Sequence, residues 1–227
     1  MSYKKSKVSI VIASKNEGEG IQKILNSLRK YSDDIIVVDG HSNDGTREKV
    51  ERFGARFFLD NKKGRGDALK IGIKNARKDV IVFFDADGSH DERDIPNLVS
   101  QIMQKKADLA IGSRRTGGSF DVNVNWTGII RSAGSDFLVA IVNHKFRTSL
   151  TDILYSFRAI RASTAKKIKF ESDDFGIEQE MVVASLKKGY KVLEVPSREK
   201  ARAWGKSKLK TISGVKFILE LLKQLYL

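Results

Sequence analysis

Residues 79–90 read Asp79-Val80-Ile81-Val82-Phe83-Phe84-Asp85-Ala86-Asp87-Gly88-Ser89-His90. The five apolar residues from Val80 to Phe84 are β-branched and aromatic, which predicts a strand buried on both faces. Two carboxylates, Asp85 and Asp87, follow this strand directly, and Gly88 comes after them. Ligands of open α/β sheets collect at the carboxyl ends of parallel strands. We therefore expect both carboxylates at the mouth of a sheet.

Asp85 and Asp87 are candidate ligands of a divalent cation. Two carboxylates so close in the chain repel each other unless a cation or hydrogen-bond donors compensate them. Hard oxygen ligands on a short loop suit Mg²⁺ or Mn²⁺, and either ion can in turn hold a diphosphate. A solvated turn is the alternative interpretation, because Asp-x-Asp pairs also arise by chance.

The composition is that of a globular protein with a large positive charge. The 227 residues, 41% of them hydrophobic and 31% charged, are compatible with one large α/β domain. The chain has no cysteine, which excludes disulfides and thiolate chemistry. No signal peptide is evident at the amino terminus, so we expect a cytoplasmic protein.

The net charge of +14 predicts attraction to polyanions such as phosphorylated substrates or an anionic membrane. Nucleic acid is not an expected partner. The basic residues are spread along the chain, and the aromatic residues lie mainly inside apolar runs instead of alternating with arginine.

Four predicted strands end in polar loops. Helical spacing of apolar residues predicts helices between the strands, and this alternation predicts a mostly parallel sheet flanked by helices, an α/β fold. A basic loop over residues 61–66 offers amides and cations to phosphate at the start of one helix. Convergence of polar loops at one sheet edge is typical of a nucleotide site. The strands cover residues 8–13, 35–38, 80–84 and 109–112.

The second half of the chain is less regular. Its pattern predicts a long helix from Trp126 to His144 with Phe137 on the apolar side, and a final strand over 191–196. The basic loop 198–208 comes next, before a terminal amphipathic helix from Leu209 to Leu227. A spanning helix needs ~20 mostly apolar residues, so this helix should not cross a bilayer. We expect it to pack on the domain, with a membrane interface or a dimer contact as alternatives.

Six motifs occur in order along nearly the whole chain: 13–17 (Ala-Ser-Lys-Asn-Glu), 39–46 (Asp-Gly-His-Ser-Asn-Asp-Gly-Thr), 63–66 (Lys-Gly-Arg-Gly), 85–90, 112–114 (Gly-Ser-Arg) and Arg202-x-x-Gly205-x-Ser207-Lys208. Together they resemble those of family 2 glycosyltransferases with the GT-A fold, in the branch of dolichol-phosphate and other polyprenol-phosphate sugar synthases. The resemblance implies a single GT-A domain over residues 1–227. Within it, residues 1–115 would form the nucleotide-binding half, 116–208 the acceptor half with a closing basic loop, and 209–227 the terminal amphipathic helix.

The resemblance also implies a role for each matching position. Asp85 and Asp87 would hold the metal on the nucleoside diphosphate, with Ala86 and Ser89 beside them. The base and ribose would be lined by Ala13, Lys15, Glu17 and Asp39. Phosphates of the donor or acceptor would face Arg114, Arg202 and Lys208, and Arg202 would act with Asp87 in catalysis.

Three positions depart from the family pattern. Gly40 replaces the second acid of the usual Asp-Asp pair, and Ser89 stands where the mannose enzymes often have Gln. The segment 155–158 reads Tyr-Ser-Phe-Arg where Ser-Gly-Phe-Arg is common. We therefore expect the sugar or acceptor pocket to differ from that of the mannose enzymes.

The implied reaction is inverting transfer of a hexose from a GDP- or UDP-linked sugar, most readily to a polyprenyl or dolichyl phosphate. The leaving diphosphate gains negative charge, and single preorganised cations near it contribute roughly 3–4 kcal/mol. A lipid phosphate is already an anion, whereas a hydroxyl acceptor needs a carboxylate to take its proton. Glu178 and Glu180 are the candidates for that base, with Asp152 behind them. Their alternative role is favourable interaction with a helix amino terminus.

Other functions stay open at this point. A family 2 enzyme acting on a hydroxyl of a glycan or small molecule fits the same motifs. A nucleotidyltransferase usually has a glycine-rich loop after the first strand, where this chain has Ser-Lys-Asn-Glu. A nucleotide-binding module is favoured by charge alone. The basic loop and the terminal helix would also suit peripheral contact with an anionic membrane at its inner face.

Overall fold

The computed structural model describes residues 3–118, 126–205 and 213–226. Its strands are β1 (Val8–Ser14), β2 (Asp34–Asp39), β3 (Arg56–Leu59), β4 (Val80–Asp85), β5 (Leu109–Ser113), β6 (Arg158–Arg161) and β7 (Val192–Pro196). Its α-helices are α1 (Ile21–Leu28), α2 (Thr46–Phe53), α3 (Arg65–Asn75), α4 (Ile95–Met103), α5 (Arg114–Gly117), α6 (Trp126–Phe146), α7 (Ala162–Lys167), α8 (Ile177–Lys187) and α9 (Ser213–Tyr226).

The seven strands form one sheet in the order β3-β2-β1-β4-β6-β5-β7. All neighbouring pairs are parallel except those of β6, which runs antiparallel to both β4 and β5. The predicted mostly parallel sheet is confirmed. The β6 strand is antiparallel because the chain leaves β5 at the carboxyl edge of the sheet and comes back to that same edge before β6 begins. There Thr151 Oγ1 lies 2.6 Å from Ser113 Oγ, and β6 then runs back through the sheet.

The β4 strand is buried on both faces, as its apolar run predicts. Phe83 belongs to the core on the side of α3 and α8, and Phe84 to the core on the side of α1 and α4. Each phenylalanine is 1% exposed. Full burial of such a side chain contributes about 1.5–3 kcal/mol. The strand is therefore a rigid support for the carboxylates that follow it.

The predicted apolar face of α6 is wrong at Phe137. This side chain is 55% exposed, whereas Leu138, Val139 and Val142 are buried in the core. The helix has apolar residues on more than one side, so helical spacing alone does not decide its orientation. Tertiary packing places 138, 139 and 142 inward, and Ile141 is only partly buried.

The α9 helix packs on the rest of the chain through Leu221 and Leu225, both buried. Gln179 Nε2 of α8 donates to Phe217 O at 3.1 Å, and Lys145 Nζ of α6 donates to Leu225 O at 2.9 Å. In the part of the chain that the structure describes, no helix has the length and apolar character needed to cross a membrane.

Candidate active site

Polar residues of β1, β2, β4 and β5 meet at the carboxyl edge of the sheet. The β4 strand pairs with β1 so that Asp85 lies beside Ala13, and β2 pairs with β1 so that Asp39 lies beside Ser14. Ser113 ends β5 on the same edge. This is the convergence that the alternation of strands and helices predicts.

Asp85 is held by donors on both of its carboxylate oxygens. Arg65 Nη2 donates to Oδ1 at 2.6 Å, and Ser156 Oγ donates to Oδ2 at 2.8 Å. Burial alone would raise the pKa of Asp85, but the Arg65 guanidinium and these hydrogen bonds outweigh burial and hold that pKa well below its usual range. Asp85 is therefore an anion throughout the physiological pH range.

Arg65 also joins the two halves of the chain. Its Nε donates to Glu178 Oε1 at 2.7 Å, so one guanidinium, only 14% exposed, bridges Asp85 of β4 and Glu178 of α8. The start of α3 is pressed against the loop before α8. A Cβ on Gly66 would lie 2.3 Å from the backbone oxygen of Ser172. The sequence predicts Arg65 only as part of the basic loop 61–66 that offers cations to phosphate, whereas the structure places its guanidinium between two carboxylates.

Asp87 is buried and pairs with the arginine of the late loop. Its Oδ1 accepts hydrogen bonds from the amide of Ser89 at 2.9 Å and from Ser89 Oγ at 2.7 Å. Arg202 Nη1 lies 2.8 Å from Oδ2. Ser89 thus orients the carboxylate, and Arg202 brings a positive charge onto it from a residue more than a hundred positions away.

Residues 199–205, here called the closing loop, lie along the Asp85–Ser89 segment. The amide of Lys200 donates to Ser89 O at 2.8 Å, and the amide of Ala203 donates to Asp87 O at 2.9 Å. Trp204 Nε1 donates to Ala86 O at 2.8 Å. These bonds fix the backbone from which Arg202 extends. Lys208 lies outside the described residues.

Trp204 packs where only glycine leaves room. A Cβ on Gly20 would lie 1.7 Å from the Trp204 ring, and one on Gly88 would lie 3.1 Å from it. Gly205 continues the loop at φ +72°, and a Cβ there would lie 3.1 Å from Glu17 Oε2. The closing loop therefore reaches the predicted base pocket at Glu17. Sequence reasoning did not assign a role to Trp204.

The loops after β1 and β2 are tied to each other through Ser42. The Asp39 carboxylate accepts from the amide and the hydroxyl of Ser42, each at 2.7 Å, and the amide of Asn16 donates to Ser42 Oγ at 2.7 Å. A Cβ on Gly40 would lie 3.2 Å from Lys15 Cδ. Glycine in place of the family's second acid therefore lets the Lys15 side chain lie against this loop.

Arg114, directly after β5, pairs with Asp152. Its Nε and Nη2 donate to the Asp152 carboxylate at 2.6 and 3.1 Å, and its guanidinium lies 4.9 Å from the centre of the Tyr155 ring. Glu199 Oε1 of the closing loop is 3.6 Å from Arg114 Nη1. None of these contacts joins Arg114 to Asp85 or Asp87, so its role towards a phosphate stays a prediction.

Glu180 is not brought to Asp85 and Asp87 by any of its contacts. Its two carboxylate oxygens accept the amides of Glu171 and Ser172 at 2.7 and 2.9 Å. The carboxylate thus holds the loop before α8, the loop against which Gly66 packs. Its predicted role as a catalytic base stays without geometric support.

The donor set at this edge fits Mg²⁺ or Mn²⁺ together with a diphosphate. Within residues 3–118, 126–205 and 213–226 no cluster of three or more His, Asp or Glu side chains is arranged to hold a metal. Mg²⁺ is usually bound by one or two carboxylates and shared with substrate phosphates. Asp85 and Asp87 supply two such carboxylates, and both already attract guanidinium groups.

Comparison with known proteins agrees with this arrangement. The model of the family described as "Glycosyl transferase family 2" matches residues 9–170. A dolichol-phosphate mannosyltransferase of Pyrococcus furiosus is 32% identical over 97% of this chain and 63% of its own length. The chain therefore spans less than two thirds of that relative. An undecaprenyl-phosphate mannosyltransferase of Micrococcus luteus is 32% identical over 89% of this chain and 87% of its own.

Solved structures share the fold. Glucosyl-3-phosphoglycerate synthase of Mycobacterium tuberculosis, crystallised with Mn²⁺ and UDP-glucose, superposes with a TM-score of 0.74 at 21% identity and covers 96% of this chain and 78% of its own. The sheet and its flanking helices thus have the GT-A fold. With the family match over most of the chain, we conclude that this protein belongs to glycosyl transferase family 2.

Proposed function

We propose that this chain transfers a hexose, with inversion, from a nucleoside-diphosphate sugar to a polyprenyl phosphate. The observation that carries the proposal is the Arg202–Asp87 contact of 2.8 Å at the carboxyl end of β4. It joins a cation of the closing loop to the carboxylates suited to a divalent ion, which is the charge arrangement that a leaving diphosphate requires.

Asp85 and Asp87 would hold Mg²⁺ or Mn²⁺ in this proposal. The ion would supply electrostatic stabilisation of the charge that develops on the leaving diphosphate. Ser89 keeps Asp87 oriented, Arg65 pairs with Asp85, and Arg202 adds a second positive charge. The Mn²⁺, Mg²⁺ and UDP named with the M. tuberculosis structures support this assignment.

The contacts of the two candidate bases favour an acceptor that is already an anion. Glu178 Oε1 is occupied by the Arg65 guanidinium, Glu178 Oε2 is buried, and both oxygens of Glu180 accept loop amides. A hydroxyl acceptor would need a carboxylate free to take its proton, whereas a phosphate needs none. The names of the P. furiosus and M. luteus relatives support a polyprenyl phosphate.

We expect UDP or GDP to stabilise the chain in a metal-dependent manner. A ligand at about a hundred times its dissociation constant adds ~2.7 kcal/mol to the free energy of unfolding, which raises the Tm by several degrees. The measurement is thermal unfolding with UDP, GDP and, as a control, CDP, each with and without Mn²⁺. No stabilisation by either UDP or GDP would contradict the proposed function.

The α9 helix supports a peripheral contact with an anionic membrane as part of this proposal. Leu219 is 61% exposed, Leu222 39% and Tyr226 70%, on the side away from the buried Leu221 and Leu225. Basic residues near an anionic bilayer add about 1 kcal/mol each to binding. Such a contact would bring the site to a lipid-linked acceptor.

The membrane contact predicts stronger sedimentation with phosphatidylglycerol vesicles than with phosphatidylcholine vesicles. The double variant Leu219→Gln with Leu222→Gln should lose most of that binding, because it removes exposed apolar area. Leu59→Gln is the matched control, since Leu59 is an equally apolar residue, 46% exposed, at the end of β3. Equal binding to both kinds of vesicle, or equal loss in the Leu59 variant, would overturn the membrane contact.

A further inference from the structure

A closed ring of hydrogen bonds lies behind Asp85 and includes two residues that the roles above do not use. The amide of Asp85 lies 3.1 Å from His90 Nδ1. His90 Nε2 lies 3.0 Å from Ser156 Oγ, which in turn lies 2.8 Å from Asp85 Oδ2. The ring therefore starts at the backbone of Asp85 and ends at its own carboxylate.

The direction of each bond in this ring is determined by chemistry. A backbone amide can only donate, so His90 Nδ1 accepts and carries no proton. The proton of the neutral imidazole is then on Nε2, which donates to Ser156 Oγ. Ser156 has a single hydroxyl hydrogen, and the ionised Asp85 carboxylate can only accept it. His90 thus directs the hydroxyl of Ser156 towards Asp85.

The imidazole of His90 has no room to turn. His90 is 2% exposed. Its ring stacks on Phe157 with centroids 4.6 Å apart and an interplanar angle of 13°. The rings of Phe84 and Tyr155 contact it edge-on at 5.1 and 5.2 Å. A histidine locked in this way supplies a fixed donor to Ser156.

Ser156 reaches Asp85 because β6 is antiparallel to β4. The register pairs Phe83 with Arg158, and the same register continued by two residues sets Asp85 opposite Ser156. A glycine at this position would leave Asp85 Oδ2 without this donor.

We propose that Ser156, oriented by His90, is a positioning residue that fixes the Asp85 carboxylate for the divalent cation of the donor complex. Arg65 holds Oδ1 and Ser156 holds Oδ2, so neither oxygen can rotate away from the sheet edge. Groups that orient a metal ligand in this way typically change metal affinity by about 10–100-fold when they are removed. This inference rests on the proposed metal site at Asp85 and Asp87.

The test is the Mn²⁺ affinity of the full chain, measured by electron paramagnetic resonance of free Mn²⁺. UDP or GDP is present, whichever of the two raises the Tm of the wild type. Ser156→Ala should weaken Mn²⁺ binding by about 10–100-fold. Ser156→Thr, which keeps the hydroxyl, should restore most of the affinity. Ser100→Ala in α4, where the hydroxyl bonds to Asn97 O of its own helix, is the matched control and should bind as the wild type.

Asp85→Asn separates the two ways in which this can fail. If Asp85→Asn abolishes Mn²⁺ binding but Ser156→Ala leaves it unchanged, the positioning role is wrong and the metal site stands. If Asp85→Asn and Asp87→Asn also leave Mn²⁺ binding unchanged, the proposed metal site itself is wrong. Thermal unfolding without metal serves as the folding check, and a loss of affinity that Ser156→Thr does not restore would also overturn the positioning role.

Discussion

Asp87→Asn should lower kcat for sugar transfer by at least about a hundredfold to a thousandfold, the usual effect of removing one group that stabilises developing charge. Asparagine has nearly the size of aspartate, and its Oδ1 can still accept from Ser89. The variant loses the negative charge that faces Arg202 and that would bind the divalent ion. We expect Asp87→Asn to fold as the wild type does but to lose sugar transfer.

The measurement is hexose transfer from a UDP- or GDP-linked sugar to a short-chain polyprenyl phosphate, with the nucleotide chosen as the one that stabilises the wild type. The Tm is recorded for each variant. Asp136→Asn is the matched control because Asp136 also pairs with an arginine, Arg115, but both side chains are largely exposed. The control should keep its activity. Wild-type turnover in Asp87→Asn would exclude a catalytic role for this carboxylate.

Arg65→Met should lower the free energy of unfolding by about 3–5 kcal/mol, the effect of removing one partner from a buried ion pair. Methionine keeps an unbranched apolar stem, but Asp85 and Glu178 lose the guanidinium between them. Their exposures are 19% and 5%, so water cannot fully replace it. Urea unfolding in the presence of a chelator measures the change.

The destabilisation by Arg65→Met should depend on pH. In the wild type the folded pKa of Asp85 is lowered, so its contribution is complete above the unfolded pKa of about 3.9 and is lost only as the pH falls through the folded value. In the variant, burial without the guanidinium raises that pKa, so stability falls as the pH rises from the unfolded pKa towards the raised folded pKa. The difference between variant and wild type should therefore grow as the pH rises above about 3.9 and level off above the raised pKa of Asp85 in the variant.

Arg47→Met is the control for the stability measurement. Arg47 pairs with Glu51 one turn along α2, with both side chains about half exposed, and such pairs contribute only about 0.3–0.5 kcal/mol. Equal destabilisation by Arg65→Met and Arg47→Met would mean that the bridge between Asp85 and Glu178 contributes little to stability.

Sequence reasoning recovers the parts of this protein that depend on neighbouring residues. The apolar run of β4 identifies a buried strand, and the polar residues at the strand ends identify the functional edge of the sheet. Both inferences are local, because burial and strand periodicity are properties of a few consecutive side chains. The two carboxylates follow the strand directly, so their place at the edge follows from the strand itself.

The contacts that give these carboxylates their environment needed the tertiary structure. Arg65 and Ser156 lie 20 and 71 residues from Asp85, and nothing in local sequence specifies such pairings. Arg202 lies more than a hundred residues from Asp87, and only the resemblance to a known family, not local sequence, predicted that the two act together. The antiparallel register of β6 sets Ser156 opposite Asp85, and the packing of α8 brings Glu178 to the other side of Arg65. The sequence also did not determine which side of α6 faces the core. This helix has apolar residues on more than one side, so the elements that pack against it decide its orientation.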